Sequence, residues 1–144
     1  MAMTNHATAR YEGLGKDGKG FVSLGSGALK EQPYGFNTRF EDEPGTNPEE
    51  QIAAAHASCF TMALSIALSK EGLSQGTLNT RSLVTLEPDG DGFKVASSEL
   101  TLDAYVKGID RARFEAIADE AKSGCPISKL LNCDISLNVV SFES

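Results

Sequence analysis

The sequence predicts a single α+β domain spanning residues 1–144, and three observations predict it. The stretch from Pro48 to about Lys70 carries helical start and stop signals, with apolar residues nearly all round its axis. Segments before and after it alternate apolar and polar residues with the two-residue period of strands. An amphipathic helical pattern then precedes a closing strand, and no internal repeat or low-complexity tract interrupts the chain.

Taken in order, Ala9 to Tyr11 and Phe21 to Leu24 are separated by Gly13, Gly15, Gly18 and Gly20, which predicts two strands joined by a tight turn. In Tyr34 to Glu41, Phe36, Thr38 and Phe40 alternate with Asn37, Arg39 and Glu41, which predicts a strand with Arg39 opposite two aromatic rings. Asn47-Pro48-Glu49-Glu50 is a helix start, with Asn as cap, Pro at the first helical position and a carboxylate three residues after the cap. The helix that follows is predicted to be central and surrounded, and its many Ala residues allow close approach of a second helix, from another subunit for example. Leu78 to Leu86 and Phe93 to Val106 read as strands around the turn Pro88 to Gly92. Asp110 caps a helix whose apolar stripe is Phe114, Ile117, Ala118 and Ala121. Cys125-Pro126 opens a short third helix to about Leu131, and Asp134 to Phe142 closes the chain as a strand.

Composition excludes several functions. Thirteen Lys and Arg against twenty Asp and Glu leave a formal charge of -7, unsuited to nucleic acid or an anionic membrane. Three Cys are too few, and odd in number, for a disulfide-stapled secreted scaffold, so they read as thiols in a reducing compartment. Arg10, Glu12, Lys16, Asp17 and Lys19 interrupt any apolar export signal, so a cytoplasmic location is expected. His56, Ser58, Thr61 and Ser65 break the one long stretch poor in charge, which is read as a buried helix and not a membrane span.

Among the cysteines, Cys59 falls mid-helix on a stripe with Ile52, Ala55, His56, Ala63 and Ile66. Cys125 precedes Pro126 at a helix start, where the helix dipole favours a thiolate, and Cys133 reads as structural. A nucleophilic thiol needs a cation, and Arg39 stands in a mostly uncharged segment. Glu49 and Glu50 are carboxylates available to orient its guanidinium, although capping alone would also explain them. Glu49 lies ten positions before Cys59, about 15 Å along a helix axis, so the two cannot meet within one helix. His56 could be a core histidine, a base for Cys59, or a zinc ligand with Cys59, Cys125 and Cys133, although such spacing fits no common structural zinc pattern. No phosphate-cradling glycine motif is present.

Three stretches of the chain together closely resemble the OsmC/Ohr family, its OsmC branch most of all. They are Gln32-Pro33-Tyr34-Gly35-Phe36-Asn37-Thr38-Arg39-Phe40, the run from Gly45-Thr46-Asn47-Pro48-Glu49-Glu50 to Ala57-Ser58-Cys59-Phe60-Thr61-Met62, and Gly124-Cys125-Pro126-Ile127-Ser128. The resemblance implies an OsmC-like fold, with antiparallel sheets around a long central helix, in an intertwined homodimer whose active sites lie at the subunit interface. It implies a thiol-dependent peroxidase that reduces organic hydroperoxides in oxidative or osmotic stress defence, without a cofactor or metal. By the same resemblance Cys59 is the peroxidatic thiol, Cys125 the resolving one, Arg39 the cation that holds Cys59 as thiolate, and Glu49 the residue that orients Arg39. An external dithiol or a lipoylated protein would be the reductant. Phe36, Phe40, Phe60 and Met62 are the candidate apolar walls for the substrate. Cys133 lies outside the family's catalytic pair, and Ser58 stands where the family commonly has Ala. The rival reading is a non-enzymatic zinc or small-ligand-binding stress protein that uses the same Cys and His residues.

Overall fold

Glycines and a three-stranded sheet shape the first of two units, Met1–Gln51 and Ile52–Ser144, in the computed structural model, which describes residues 1–144. Strand β1 (Ala7–Glu12) pairs antiparallel with β2 (Lys19–Leu24), and β3 (Gln32–Tyr34) pairs antiparallel with the other edge of β2. The β1–β2 connection is wider than the tight turn predicted. It holds a 3-10 turn at Gly15–Asp17, entered through Gly13 and Gly15, whose φ of 76° and 75° suit glycine. At Gly20 a Cβ would fall 2.6 Å from the Tyr34 ring, so the β2–β3 pairing at this point requires glycine.

The strand predicted over Tyr34 to Glu41 is incorrect beyond Tyr34. Phe36–Phe40 forms a short helix, α1, held by Thr38, whose Oγ1 accepts from Gly35 N at 2.8 Å and donates to Gly35 O at 3.0 Å. Phe36 and Phe40 share a face in either conformation, because a spacing of four satisfies both the strand and the helix period. Their rings stand 5.0 Å apart. Asn47 then ties the next helix to α1. Its Nδ2 donates to Thr38 O at 3.1 Å while its Oδ1 accepts from Glu50 N at 2.8 Å, the cap that starts α2 (Pro48–Lys70). Gly72, with φ 84°, lies just past the end of α2.

The second unit is a sheet of order β4-β5-β6 covered by helices. β4 (Gly76–Asp89) and β5 (Gly92–Val106) form a long antiparallel hairpin, and Gly90, with φ 61°, takes the first position of its two-residue loop. β6 (Asp134–Glu143) departs from the all-antiparallel expectation and runs parallel to β5. Parallel neighbours need a long crossover. Here α3 (Arg111–Gly124) and α4 (Pro126–Leu130) supply it. Asp110 caps α3 by accepting from Arg113 N at 2.8 Å.

Every second residue of β5 from Ser98 to Val106 is buried, and Leu100, Leu102, Ala104 and Val106 face one core. Phe114, Ile117, Ala118 and Ala121 of α3 complete it with Phe60, Leu64 and Leu68 of α2. Within one chain α2 is therefore not surrounded. It buries the stripe His56, Phe60, Leu64 and Leu68, one residue per turn, while Met62 and Ile66 remain 65% and 51% exposed. Cys59, Ala63 and Ala67 border that stripe, so Cys59 groups with them and not with Ala55 or Ile66. At 23 residues α2 is long and apolar enough to cross a bilayer on those two counts, contrary to the reading of its composition above. In this structure it packs its stripe on protein and buries a histidine there.

Leu64 is fully buried, and Leu64→Ala is expected to lower the unfolding free energy by about 2–5 kcal/mol in denaturant titrations. Asp110→Ala is expected to cost about 1 kcal/mol by the same measurement, through loss of the α3 cap.

Candidate active site

The structure sorts the four site residues into two close pairs, one in each unit. In the first unit Arg39, in the last turn of α1, meets Glu49, in the first turn of α2. Arg39 Nε donates to Glu49 Oε1 at 2.8 Å and its second guanidinium nitrogen donates to Oε2 at 2.9 Å. Such a fork fixes the plane of the guanidinium as well as its position. The bond to Glu49 raises the Arg39 pKa further, so the group stays cationic. Arg39 does not lie across a strand from the aromatic rings, as the strand reading required; its guanidinium carbon sits 5.4 Å from the centre of its helix neighbour Phe40.

In the second unit Cys59 and Cys125 are both free thiols, near enough for each to bear on the ionisation of the other. Cys59 is half-buried on α2. Cys125 is fully buried at the joint between two helices, where its N–H donates to Ala121 O at 3.0 Å to close α3 and its sulfur caps α4. Pro126 at the first position of α4 lacks the N–H that would otherwise need a partner there. Ser128 N reaches Cys125 Sγ at 3.4 Å and Ser128 Oγ reaches it at 3.5 Å.

These contacts divide the proton between the sulfurs. Burial pushes the Cys59 thiol up, and its hydrogen bond with Cys125 pushes it further, against the opposing pull of the Ile127 N–H. Burial also acts on Cys125, but the donors from Cys59, Ser128 and Ile127 outweigh it and bring that thiol down. Within this pair, taken alone, Cys125 is the acceptor and Cys59 the donor. Cys133 stands apart; burial and the charge of Asp134 push its thiol up.

His56 is a core histidine with both ring nitrogens engaged. Nδ1 lies 2.6 Å from Ser98 Oγ and Nε2 lies 2.8 Å from Ser128 Oγ, and burial lowers its pKa, so the ring is neutral. Neither nitrogen has a lone pair for zinc, or for the proton of Cys59, without breaking one of these bonds. No group of three or more His, Cys, Asp or Glu residues is placed to hold a metal ion. Of the proposed apolar walls, Phe60 is fully buried in the core and cannot line a pocket, whereas Phe40 and Met62 are exposed and Phe36 is half-buried.

Three serines escaped the sequence reading: Ser128, Ser98, and Ser82, whose Oγ lies 2.9 Å from that of Ser98. A signal for Ser98 was present, because the alternation Leu100, Leu102, Ala104, Val106 extended back two residues puts Ser98 on the core face.

A family model described as OsmC-like protein matches residues 40–140. The chain is 46% identical over 138 residues to peroxiredoxin OsmC of Escherichia coli K12, covering 96% of each protein. It is 31% identical over 127 residues to organic hydroperoxide resistance protein OhrB of Bacillus subtilis, covering 83% of this chain and 88% of that one. The crystal structure of that OhrB superposes with a TM-score of 0.70 at 29% identity, over 95% of this chain and 98% of that one. An organic hydroperoxide resistance protein OsmC from Legionella pneumophila shares the fold with a TM-score of 0.70 at 24% identity, over 100% and 99% of the two chains.

The proton order within the thiol pair gives a pH prediction. Cys59→Ala removes a donor from the Cys125 sulfur, so the ultraviolet thiolate absorbance of Cys125 should rise at higher pH than in the parent. Cys125→Ala removes the partner that holds Cys59 up, so Cys59 should ionise at lower pH.

Proposed function

The chain belongs to the OsmC family, and from that premise we propose that Cys59 and Cys125 are its working thiol pair, with Arg39 and Glu49 as the charge that serves them. It is a thiol-dependent peroxidase of organic hydroperoxides that acts in stress defence, the activity named for its OsmC and Ohr relatives. The nearness of the two free thiols, each of which bears on the ionisation of the other, is the observation that carries the assignment, because a disulfide forms only between sulfurs already close together.

The chemistry follows from the roles. The Cys59 thiolate attacks the outer oxygen of the hydroperoxide, the O–O bond breaks, and the departing alkoxide takes a proton to leave as an alcohol. Arg39 stabilises the charge that develops on that oxygen and keeps Cys59 ionised, and Glu49 holds the guanidinium plane. Cys59 is left as sulfenic acid. Cys125 condenses with it to a disulfide before further oxidation can make the change irreversible, and an external dithiol, possessed by a small molecule or a lipoylated protein, returns both thiols by exchange.

Cys59 needs a cation because burial and Cys125 both oppose its ionisation, and a fixed guanidinium is the group that answers this need. The active unit is read as a homodimer with sites at the subunit interface. Its support here is α2, which carries Met62 and Ile66 on an exposed apolar side that a second copy would cover. Residues 1–144 are read as one working domain, as the match over 96% of the OsmC relative supports. Three unpaired cysteines favour a reducing compartment, and the cytoplasm is the location proposed.

Cys59→Ser is expected to abolish turnover of an alkyl hydroperoxide with a dithiol reductant. Cys125→Ser should consume one equivalent and then accumulate sulfinic and sulfonic Cys59, read by mass spectrometry. Equal turnover by wild type and Cys59→Ser would end the assignment. Arg39→Ala should cut the rate of peroxide consumption at neutral pH by about 10²-fold and move its pH profile upward.

A further inference from the structure

The peroxide mechanism uses neither His56 nor the serines around it, yet together they form a continuous buried path that ends on a reactive sulfur. Ser82 Oγ meets Ser98 Oγ at 2.9 Å, Ser98 Oγ meets His56 Nδ1 at 2.6 Å, His56 Nε2 meets Ser128 Oγ at 2.8 Å, and Ser128 Oγ meets Cys125 Sγ at 3.5 Å. His56 and Ser98 are fully inaccessible, and no buried polar side-chain atom in the chain lacks a partner.

Proton counting gives this path a direction. Each serine hydroxyl has one proton, and a neutral imidazole has one N–H. The Ser128 hydroxyl spends its one proton on the Cys125 sulfur, beside the N–H of the same residue. Ser128 Oγ must then accept from His56, which places the imidazole proton on Nε2 and leaves Nδ1 as an acceptor. Ser98 donates to Nδ1, and Ser82 donates to Ser98. Each group in the path therefore fixes the next, and the last proton points at Cys125. Three thiols face this path: Cys125 at its end, Cys59 beyond Cys125, and Cys133, which accepts from the backbone N–H of Ser98.

We propose that His56 is a positioning residue for the resolving step, holding Ser128 so that its hydroxyl proton stabilises the Cys125 thiolate and hastens closure of the Cys59–Cys125 disulfide. The proposal rests on the reading of Cys125 as the resolving thiol. In that step the Cys125 thiolate attacks the sulfur of sulfenic Cys59, an S–S bond forms, the S–O bond breaks, and the leaving hydroxide takes up the proton that Cys125 released on ionising, so that water is the product. Cys125 is oxidised by one level and the Cys59 sulfur is reduced by one. A donor to Cys125 helps because the thiolate fraction rises tenfold for each unit its pKa falls, while nucleophilicity drops only about threefold. Peroxide cleavage needs no such donor, so the effect is confined to resolution.

Two measurements test this. In a Cys59→Ser, Cys133→Ser background the ultraviolet thiolate absorbance of Cys125 is titrated against pH, with and without Ser128→Ala or His56→Phe. In the otherwise intact chain, one equivalent of tert-butyl hydroperoxide is added, and peroxide loss and disulfide formation are timed separately. Both substitutions are expected to move the Cys125 titration to higher pH by about one to two pH units, the scale of one hydrogen bond to a charged group, and to slow disulfide formation by about threefold for each unit. Peroxide loss should not slow, because a protonated Cys125 opposes Cys59 ionisation less, and Ser128→Thr, which restores the hydroxyl, should recover the parent titration. If folded Ser128→Ala or His56→Phe titrates and resolves like its parent, the proposal is overturned. Should His56→Phe fail to fold, Ser98→Ala, which removes the donor that fixes the tautomer, must move both readouts in the same direction or the proposal falls. The titration needs no peroxide, so a wild type that forms no disulfide would count against the resolving role of Cys125 and leave the test of the path intact.

Discussion

The chemistry proposed for this chain depends on two neighbouring thiols, one buried and one half-buried, each of which bears on the ionisation of the other. A buried thiol resists ionisation because the low-dielectric surroundings penalise the charged form. A pair of buried thiols has a further constraint, since ionising one makes ionising the other harder. The structure meets the first constraint by placing Cys125 between two helices, where the N–H groups and hydroxyl of Ile127 and Ser128 converge on its sulfur. Cys59 is given no comparable set of donors. On the reading proposed above its ionisation is supported by charge, and a forked Arg39–Glu49 pair is the kind of group that supplies charge with direction.

The same division explains why α2 carries so much of the molecule. Its first turn contributes Glu49, its fourth contributes Cys59, and between them His56 enters the core. A helix that buried apolar residues on every side within its own chain could not expose a thiol to a substrate. By burying only His56, Phe60, Leu64 and Leu68, it keeps Cys59 at the border of the core, half-accessible, while the leucines and Phe60 fix its height against β5 and α3. Rigid placement matters because a thiol that wandered by even an ångström would lose its in-line approach to an O–O bond.

Much of this was legible in the residues, and the parts that were not have physical reasons. The caps at Asn47 and Asp110, the α3 stripe and the Cys125-Pro126 start were readable because each is a local signal spelled out by neighbours. The segment after Tyr34 was misread because aromatic residues four apart fit two periods, and the deciding contact is a single Thr38 hydroxyl on the Gly35 backbone. The enclosure of α2 was overestimated because Ala and Ile show how apolar a face is, not whether this chain or another covers it. The direction of β6 depends on how α3 and α4 cross the sheet, which alternation within the strand does not encode. As for the site, motif and family resemblance pointed to the charged and sulfur groups, but among the serines only Ser98 has a spacing signal, as a core-face position of β5, and only the fold brings Ser98 and Ser128 to one histidine and Ser82 to Ser98.

That convergence is costly to build, and its cost bears on its purpose. A core position filled by Leu needs only volume, whereas His56 and three serines must each find a partner at the right angle or lose about 1–3 kcal/mol apiece. Apolar residues of similar size would be the simpler way to fill the space beneath α2. A path that is fully satisfied, and whose protons are forced into one order, converts that burden into a fixed donor at Cys125. On the proposed reading the donor stands on the sulfur that must be ready when Cys59 is oxidised, and the imidazole behind it is neutral and buried. Readiness at that sulfur is what limits overoxidation, because sulfenic Cys59 is consumed either by Cys125 or by a second peroxide.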